Sequence, residues 1–189
     1  SSAQGKGVTS LAAKVSALME SIETWHAEQR RPDRLASARA LGAATIARAR
    51  ALPRHPRRFA VDAVRPWVRA VALPTGRAAW LPWESVTLDT VAAAATPPLF
   101  DVSSNGLASG NTVGEAIVHG LCEVIERDAE ATWRLTGHDR RVVLDTIVDG
   151  TVRALIARIT GAGARLWLWD LTSEVGVPVF GCGLMHDPA

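Results

Sequence analysis

The stretch "GNTVGEAIVHGLCEVIE" (Gly110–Glu126) repeats an earlier stretch of the same chain, "GVTSLAAKVSALMESIE" (Gly7–Glu23), at an offset of 103 residues. Eight of the seventeen aligned positions are identical without a gap, and both copies end in two glutamates at the same spacing. We interpret the pair as a twofold internal duplication rather than as part of a solenoid array. The two copies are predicted to frame one functional site.

The composition limits the class of protein. The chain has 189 residues, of which 48% are hydrophobic and 21% charged, which is typical of a soluble globular domain, either single or built of two lobes. No apolar run reaches the roughly 18 residues of a membrane helix, and no signal peptide is visible. Cys122 and Cys182 stand in apolar contexts outside any C-x-x-C pair, which favours reduced thiols in a cytoplasm and disfavours structural zinc.

The basic residues are unevenly distributed along the chain. The net charge is +2, and 12 of the 21 basic residues lie between Arg30 and Arg77, scattered among alanines. No aromatic residue interleaves with them before Phe59. We therefore favour a solvated, arginine-rich helical face over a nucleic-acid-binding surface.

Hydrophobic spacing predicts the elements of the first half. Apolar residues at three- and four-residue intervals predict a helix from Thr9 to about Gln29, with Thr9 or Ser10 as its cap. A second helix is predicted from Leu35 to Ala51, and two strands are predicted around the Pro-Thr-Gly turn of "PWVRAVALPTGRAAWLPWESV".

The second half is predicted to contain two helices and two strands. The first helix runs from Thr112 or Val113 to about Leu135, and the second lies within "TIVDGTVRALIARITGAG". Strands are predicted in "ARLWLWDLT" and "GVPVFGCGLM". The predicted fold class is α+β, with two pseudo-symmetric lobes of helix plus antiparallel or mixed sheet around a cleft.

The glutamates of each copy share one helical face. At about 100° per residue, Ser16, Glu20 and Glu23 fall within about 60° of one another. Glu115 and Glu126 fall about 20° apart on the later helix, with Glu123 about 60° further round. The opposite, apolar sides are expected to be buried; they carry Leu18 and Ile22 in one copy and Leu121 and Ile125 in the other.

A solvated face of an amphipathic helix is the ordinary explanation of such glutamates. Two features favour a functional one. The same acids recur at the same phase in both copies, and these polar faces hold small residues such as Ala12, Ala13 and Gly120 instead of basic partners. His119, which lies among the acids, is interpreted as a structural or surface histidine in preference to a catalytic base.

Convergence of the two copies would create a magnesium site. Four carboxylates brought close together cannot all ionise without a cation, and hard oxygen ligands suit Mg²⁺. Both helices also begin in small-residue turns, "GKGVTS" and "SGNT", which are ready phosphate sites, and Lys6 adds positive charge. The first turn is not a Walker loop, because Gly7 follows Lys6. The predicted metal ligands are Glu20, Glu23, Glu123 and Glu126.

Two stretches resemble the YcaO family: "GKGVTSLAAKVSALMESIE" (Gly5–Glu23) and "SSNGLASGNTVGEAIVHGLCEVIERD" (Ser103–Asp128). The second is highly specific in its order S-N-G, then G-N-T-x-x-E-A, then L-x-E-x-x-E-R. Together they cover about a quarter of the chain. "LWLWDLTSEVGVPVF" is similar to the strands that follow in the family, and the overall character is most similar to members encoded beside TfuA partners.

The resemblance implies an ATP-dependent enzyme that activates a peptide backbone amide. The amide oxygen attacks the γ-phosphate, and a nucleophile then displaces phosphate: a Cys, Ser or Thr side chain gives an azoline, sulfide a thioamide, and an amine an amidine. By motif match, Ser16, Asn111 and Glu115 contact the nucleotide, and Lys6 and Arg127 face the phosphates, with catalytic roles expected for the last two. The same four glutamates hold magnesium.

The resemblance also sets expectations about partners and completeness. The expected partners are a peptide or protein substrate and a TfuA-like or sulfur-delivery protein; a homodimer is left open, and neither nucleic acid nor a membrane is expected. The chain is expected to be a single-domain fragment, inactive alone, that lacks an N-terminal portion and a C-terminal segment of the nucleotide site. A catalytically inactive recruitment module is the alternative.

Overall fold

The structure is a computed structural model that describes residues 3–42, 59–94 and 99–186 of the chain. Two compact units divide it, Ser1–Ile117 and Val118–Ala189. Across the described residues, no helix combines the length and the apolar character that crossing a membrane requires.

Helix α1 (Ser10–Gln29) begins where the sequence predicts, because Thr9 caps it. Thr9 is extended, and its Oγ1 accepts the backbone N–H of Ala12 at 3.1 Å. This bond satisfies one of the donors that the first turn of any helix leaves without an intrahelical partner.

A three-stranded antiparallel sheet follows in the first unit, in the order β1 (Arg34–Ser37), β2 (Val64–Ala72) and β3 (Arg77–Pro82). The β2–β3 turn contains Gly76 at φ +64°, a left-handed conformation that glycine adopts without steric cost. The prediction of two strands around the Pro-Thr-Gly turn is therefore confirmed.

The prediction of a helix over Leu35–Ala51 is wrong at its start. Arg34–Ser37 pairs with β2 in the register Arg34↔Trp67 to Ser37↔Val64, and a single helical turn, α2 (Ala38–Leu41), follows it. Pairing with β2 and the burial of Ala36 outweigh the helix propensity of this segment. The part of the prediction from residue 43 to 51 lies outside the described residues.

The C-terminal end of α1 is anchored to the rest of the first unit by hydrogen bonds from buried side chains. Trp83 Nε1 donates to the carbonyl of Arg30 at 2.6 Å, and Thr87 Oγ1 donates to the carbonyl of Ala27 at 3.3 Å. Trp83 belongs to a 3₁₀ turn (Trp83–Ser85) directly after β3. The first unit therefore fixes α1 at one end.

The apolar side of α1 is exposed, which contradicts the expectation that Leu18 and Ile22 are buried. Leu18 is 60% exposed and Ile22 40%. Of the residues of α1, Ala27 is the buried one, because the helix is held near its C-terminal end. Leu121, expected to be buried in the second copy, is 49% exposed, whereas Ile125 packs against a buried cluster.

Apart from a short helix and a 3₁₀ turn that were not predicted, the remaining elements follow the sequence predictions closely. A short helix, α3 (Thr90–Ala94), precedes the long helix α4 (Val113–Thr136), which begins in the first unit and continues in the second. A 3₁₀ turn (Leu144–Thr146) is followed by α5 (Gly150–Gly161). Strands β4 (Ala164–Asp170) and β5 (Phe180–His186) then form a two-stranded antiparallel sheet.

The core of the second unit joins α4 to the strand region. Ala129 on α4, together with Leu171 and Val179, is buried, and Ile125 and Trp133 pack against this cluster. The described sheets are antiparallel and the helices lie between them in the chain, so the α+β fold class is confirmed.

Candidate functional site

The segment that precedes α1 lies along the helix. The backbone N–H of Lys6 donates to Ser16 Oγ at 3.3 Å, and that of Gln4 donates to Glu20 Oε2 at 3.1 Å. Earlier residues pair with later ones, so the segment runs antiparallel to α1. It brings together three of the predicted site residues: Lys6, Ser16 and Glu20.

Gly5 is the point at which this segment touches the helix. A Cβ added at Gly5 would lie 1.8 Å from the carbonyl oxygen of Ala13 and 2.4 Å from the backbone nitrogen of Ala17. Atoms of a helix backbone cannot rotate away as the end of a flexible side chain can. The two alanines therefore form a groove that admits a residue without a side chain.

The two helix starts have the same local structure. Thr112 Oγ1 accepts the N–H of Glu115 at 3.2 Å, as Thr9 Oγ1 accepts that of Ala12. A Cβ on Gly110 would lie 2.6 Å from the nitrogen of Ala116, and one on Gly7 would lie 2.6 Å from that of Ala13. Each pair is related by the 103-residue offset. The duplication of whole lobes stays a prediction.

The second copy adds a bond that the first cannot make. Glu115 Oε2 accepts the backbone N–H of Asn111 at 2.7 Å, and the position equivalent to Glu115 is Ala12. The structure thus brings together two predicted nucleotide contacts, Asn111 and Glu115, at the first turn of α4. Their contact with a nucleotide stays a prediction.

Arg127 binds one of the predicted metal ligands. Its Nε and one terminal nitrogen donate to Glu123 Oε1 at 3.1 and 2.8 Å, an i,i+4 pair on α4. The side chain of Arg127 is 54% exposed and that of Glu123 21%. Glu20, the equivalent of Glu123, instead accepts a neutral backbone N–H. The two copies have therefore diverged in the charge that faces this carboxylate.

The other two predicted metal ligands, Glu23 and Glu126, are half-buried and exposed, respectively. Within the part of the chain that the structure describes, no group of three or more His, Cys, Asp or Glu side chains is arranged to hold a metal ion. Glu20 and Glu23 belong to the first unit, and Glu123 and Glu126 to the second. Convergence of the four carboxylates stays a prediction.

Sequence reasoning included Gly5 in a small-residue turn but missed its contact with α1, and it missed Gln4 altogether. The available signal was the pair Ala13 and Ala17, small residues one helical turn apart. A glycine shortly before such a helix predicts a close backbone approach. The small residues on the polar face of α1 are explained in part by this contact.

A family model matches residues 4–189, and its description is "YcaO cyclodehydratase, ATP-ad Mg2+-binding". The chain belongs to the YcaO family. As that description states, ATP and Mg²⁺ are the ligands of YcaO proteins, which agrees with the cofactors expected from the sequence.

Two curated relatives are more than twice as long as this chain. A protein encoded in the tfuA 3′ region of Rhizobium leguminosarum bv. trifolii is 38% identical over 185 residues, which cover 94% of this chain and 43% of the relative. An uncharacterized protein of Mycobacterium tuberculosis is 36% identical over 202 residues, which cover 98% of this chain and 46% of the relative. The chain therefore spans less than half of the length of either relative.

Solved structures share the YcaO fold at lower identity. A heterocyclase solved in complex with substrate and cofactor superposes with a TM-score of 0.79 at 23% identity, over 98% of this chain and 28% of the other. YcaO from Methanopyrus kandleri, bound with AMPPCP and Mg²⁺, gives 0.65 at 23% identity over 95% and 49%. The Escherichia coli microcin synthetase McbBCD with pro-MccB17 gives 0.71 at 20% identity over 91% and 45%. At this identity these likenesses support the fold alone.

Proposed function

We propose that this chain is the nucleotide-binding part of an enzyme that uses ATP and Mg²⁺ to activate a peptide backbone amide. The observation that carries the proposal is the arrangement on α1, where Ser16 and Glu20 hold the segment that contains Lys6. The Ser16 hydroxyl, the Glu20 carboxylate and the backbone of Lys6 thus lie on one side of α1 in a YcaO protein.

The chemistry of the donor set fits magnesium. Glu20 and Glu23 on α1, and Glu123 and Glu126 on α4, offer carboxylate oxygens, which are the ligands that Mg²⁺ prefers beside phosphate oxygens. Glu20 accepts a hydrogen bond from a backbone N–H, and Glu123 accepts one from Arg127. Mg²⁺ can displace both contacts, because a divalent cation binds a carboxylate more strongly than either donor does. Bound Mg²⁺ would neutralise charge that develops during phosphoryl transfer.

The residues around these carboxylates suit a phosphate chain. Lys6 and Arg127 supply one cation in each copy, and exposed N–H groups at the starts of α1 and α4 favour anions. Lysine acts there as a point charge, whereas arginine offers a planar fork that can bind two phosphate oxygens. We assign Lys6 and Arg127 to the transferring phosphate, and Ser16, Asn111 and Glu115 to the rest of the nucleotide.

The proposed reaction has two steps. The amide oxygen of the peptide takes the γ-phosphoryl group, and ADP leaves. A nucleophile then adds to the amide carbon and inorganic phosphate leaves; a Cys, Ser or Thr side chain of the substrate gives an azoline, and sulfide gives a thioamide. An amide oxygen is a weak nucleophile, so alignment and charge neutralisation carry most of the catalysis.

Thioamide formation with a TfuA-like partner is the finer proposal. It is supported by the similarity to the protein encoded in a tfuA 3′ region. Mass spectrometry of a treated peptide separates the products, because azoline formation removes one water and thioamide formation exchanges oxygen for sulfur. Sulfur incorporation that requires both the enzyme and a TfuA-like partner is expected.

Magnesium-dependent thermal stabilisation by ATP tests the proposal directly. A ligand that binds the native state and is present at a concentration of about 100 times its Kd raises the free energy of unfolding by about 2.7 kcal/mol. A clear rise in Tm is therefore expected with ATP and Mg²⁺ together. EDTA should abolish it. Glu20→Gln should weaken the response, whereas Glu28→Gln, the same change later on α1, should preserve it. Absence of any Mg²⁺-dependent response in the wild type would overturn the proposal.

The alternative, an inactive recruitment module, predicts a different pattern. Such a protein could bind a peptide while showing no ATP response that depends on Glu20 and Glu23. Presence of all four carboxylates in the chain favours the enzyme. Peptide-dependent phosphate release by the whole protein separates the two functions.

A further inference from the structure

We infer that Gly5 is a positioning residue that fixes Lys6 beside α1 for contact with nucleotide phosphate. The inference rests on the proposed function, since it concerns the same site. Its direct support is steric: a Cβ at Gly5 would meet the backbone oxygen of Ala13 at 1.8 Å and the backbone nitrogen of Ala17 at 2.4 Å.

Two hydrogen bonds flank Gly5, and both depend on how closely the backbone at Gly5 approaches α1. On one side, Gln4 N–H donates to Glu20 Oε2; on the other, Lys6 N–H donates to Ser16 Oγ. The backbone is thus tied to α1 at both neighbours of the glycine. A methyl group at Gly5 would lift the segment from the helix, so both bonds would be lost together.

The glycine and the lysine of this segment are specific to the first copy. At the 103-residue offset, Gly5 corresponds to Ala108 and Lys6 to Ser109, so the second copy has neither the glycine nor the lysine. The second copy instead carries Arg127, where the first has Thr24. Each copy therefore supplies one cation by a different route: Arg127 directly from α4, and Lys6 from a segment whose position depends on Gly5.

The positive charge of Lys6 makes it the residue that gains from this positioning. Lys6 and Lys14 are the two lysines of the chain, and Lys6 is the one whose backbone is bonded to a predicted nucleotide contact, Ser16. A lysine side chain has many rotamers, and fixing its backbone reduces the entropy lost when its ammonium group meets a phosphate.

Gly5→Ala tests the inference, with Gly150→Ala as its matched control. A Cβ at Gly150, at the start of α5, would meet nothing within 4 Å. Amide exchange by NMR without ligand is the first measurement. In Gly5→Ala, exchange at Gln4 and Lys6 should become about tenfold faster, because both amides lose their acceptors, whereas Gly150→Ala should leave it unchanged. Ser16→Ala, which adds no atoms, should accelerate exchange at Lys6 in the same way.

Affinity for Mg²⁺–ATP is the second measurement. Gly5→Ala and Lys6→Ala should each weaken binding about tenfold, and the double variant should be no weaker than Lys6→Ala alone, because both changes remove one interaction. If the wild type binds Mg²⁺–ATP but Gly5→Ala binds equally well, or if the two losses add, the inference is overturned. A wild type that does not bind overturns the proposed function instead.

Discussion

Gly7 and Gly110 occupy equivalent positions 103 residues apart, and each lies against the first turn of its helix with the same clearance. A Cβ on either would come within 2.6 Å of a backbone nitrogen, that of Ala13 for Gly7 and that of Ala116 for Gly110. The two helix starts are therefore built alike at the level of single atoms, although the residues between these glycines and the caps differ.

Replacing Gly7 or Gly110 with alanine should destabilise the first unit by a similar amount. Gly7→Ala and Gly110→Ala each force a methyl group onto a helix backbone, and overpacking of this kind costs roughly 1–3 kcal/mol. Urea denaturation measures the effect. Gly161→Ala at the end of α5, where a Cβ meets nothing within 4 Å, is the control and should be neutral or stabilising. Equal stability of all three variants would contradict the packing described.

Arg127→Lys should weaken Mg²⁺–ATP binding about tenfold, because lysine keeps the charge but loses the planar fork. The chain offers a matched control on the same helix: Arg134 pairs with Glu130 at the same i,i+4 spacing, at 2.5 Å. Arg134→Lys should leave binding unchanged. Since the side chains of Arg127 and Arg134 are both more than half exposed, neither change should alter the free energy of unfolding by more than about 1 kcal/mol. Equal affinity of both variants for Mg²⁺–ATP would mean that Arg127 serves as an ion-pair partner of Glu123 and does not contact the nucleotide.

Asp33 should make stability depend on pH in the acidic range. A hydrogen bond from the Arg30 side chain, and then one from the backbone N–H of Arg69, lower the pKa of Asp33 below its ordinary value of 3.8. A lowered pKa means that the carboxylate stabilises the folded state above pH 3.8, and that this contribution is lost as the pH falls through the lower, folded-state pKa.

Asp33→Asn should therefore be less stable than the wild type at neutral pH, and the difference should shrink below pH 3.8. Denaturant titrations at neutral pH and below pH 3.8 measure the difference in the free energy of unfolding between the variant and the wild type. Asp101→Asn, at an exposed carboxylate, serves as the control for the general effect of removing one negative charge. A difference that stays constant across this range would show that Asp33 stabilises through shape instead of charge.

Glu84→Gln should strongly destabilise the first unit. Glu84 Oε1 accepts Arg65 at 2.8 Å, the two side chains are 9% and 13% exposed, and Glu84 Oε2 also accepts the backbone N–H of Leu99. Glutamine keeps an acceptor but leaves the guanidinium charge buried without its counter-ion, which costs roughly 3–5 kcal/mol. Glu130→Gln, in an exposed pair, should cost less than about 1 kcal/mol by urea denaturation. Similar losses in both would mean that water reaches Arg65.

The sequence was most informative where local chemistry decides the structure. The starts of α1 and α4 were predictable because Thr9 and Thr112 are good caps, and a cap acts within three residues. The Pro-Thr-Gly turn was predictable because Gly76 tolerates a positive φ. The i,i+4 spacing of Arg127 and Glu123 also puts their side chains side by side, so the expectation that these glutamates lack basic partners is wrong for Glu123.

Long-range contacts decided the features that the sequence did not reveal. Arg34–Ser37 is a strand because β2, which begins at Val64, pairs with it, and no local pattern encodes that partner. Leu18 and Leu121 were expected to be buried from helical periodicity, but periodicity gives the face of a helix and not what covers it. The contact of Gly5 with α1 was missed because it depends on the path of the chain before α1.

The fluorescence of a tryptophan on the exposed apolar side of α1 can report on the surroundings of this helix. Trp25 on that side is 56% exposed, whereas the other six tryptophans, all of which the structure describes, are buried or half-buried. The indole of Trp25 should emit at longer wavelength than that of the buried Trp67, and acrylamide should quench it first. Any polypeptide that comes to lie over Leu18 and Ile22 would shield Trp25 from the quencher. Intrinsic fluorescence can therefore follow the covering of this helix without a label.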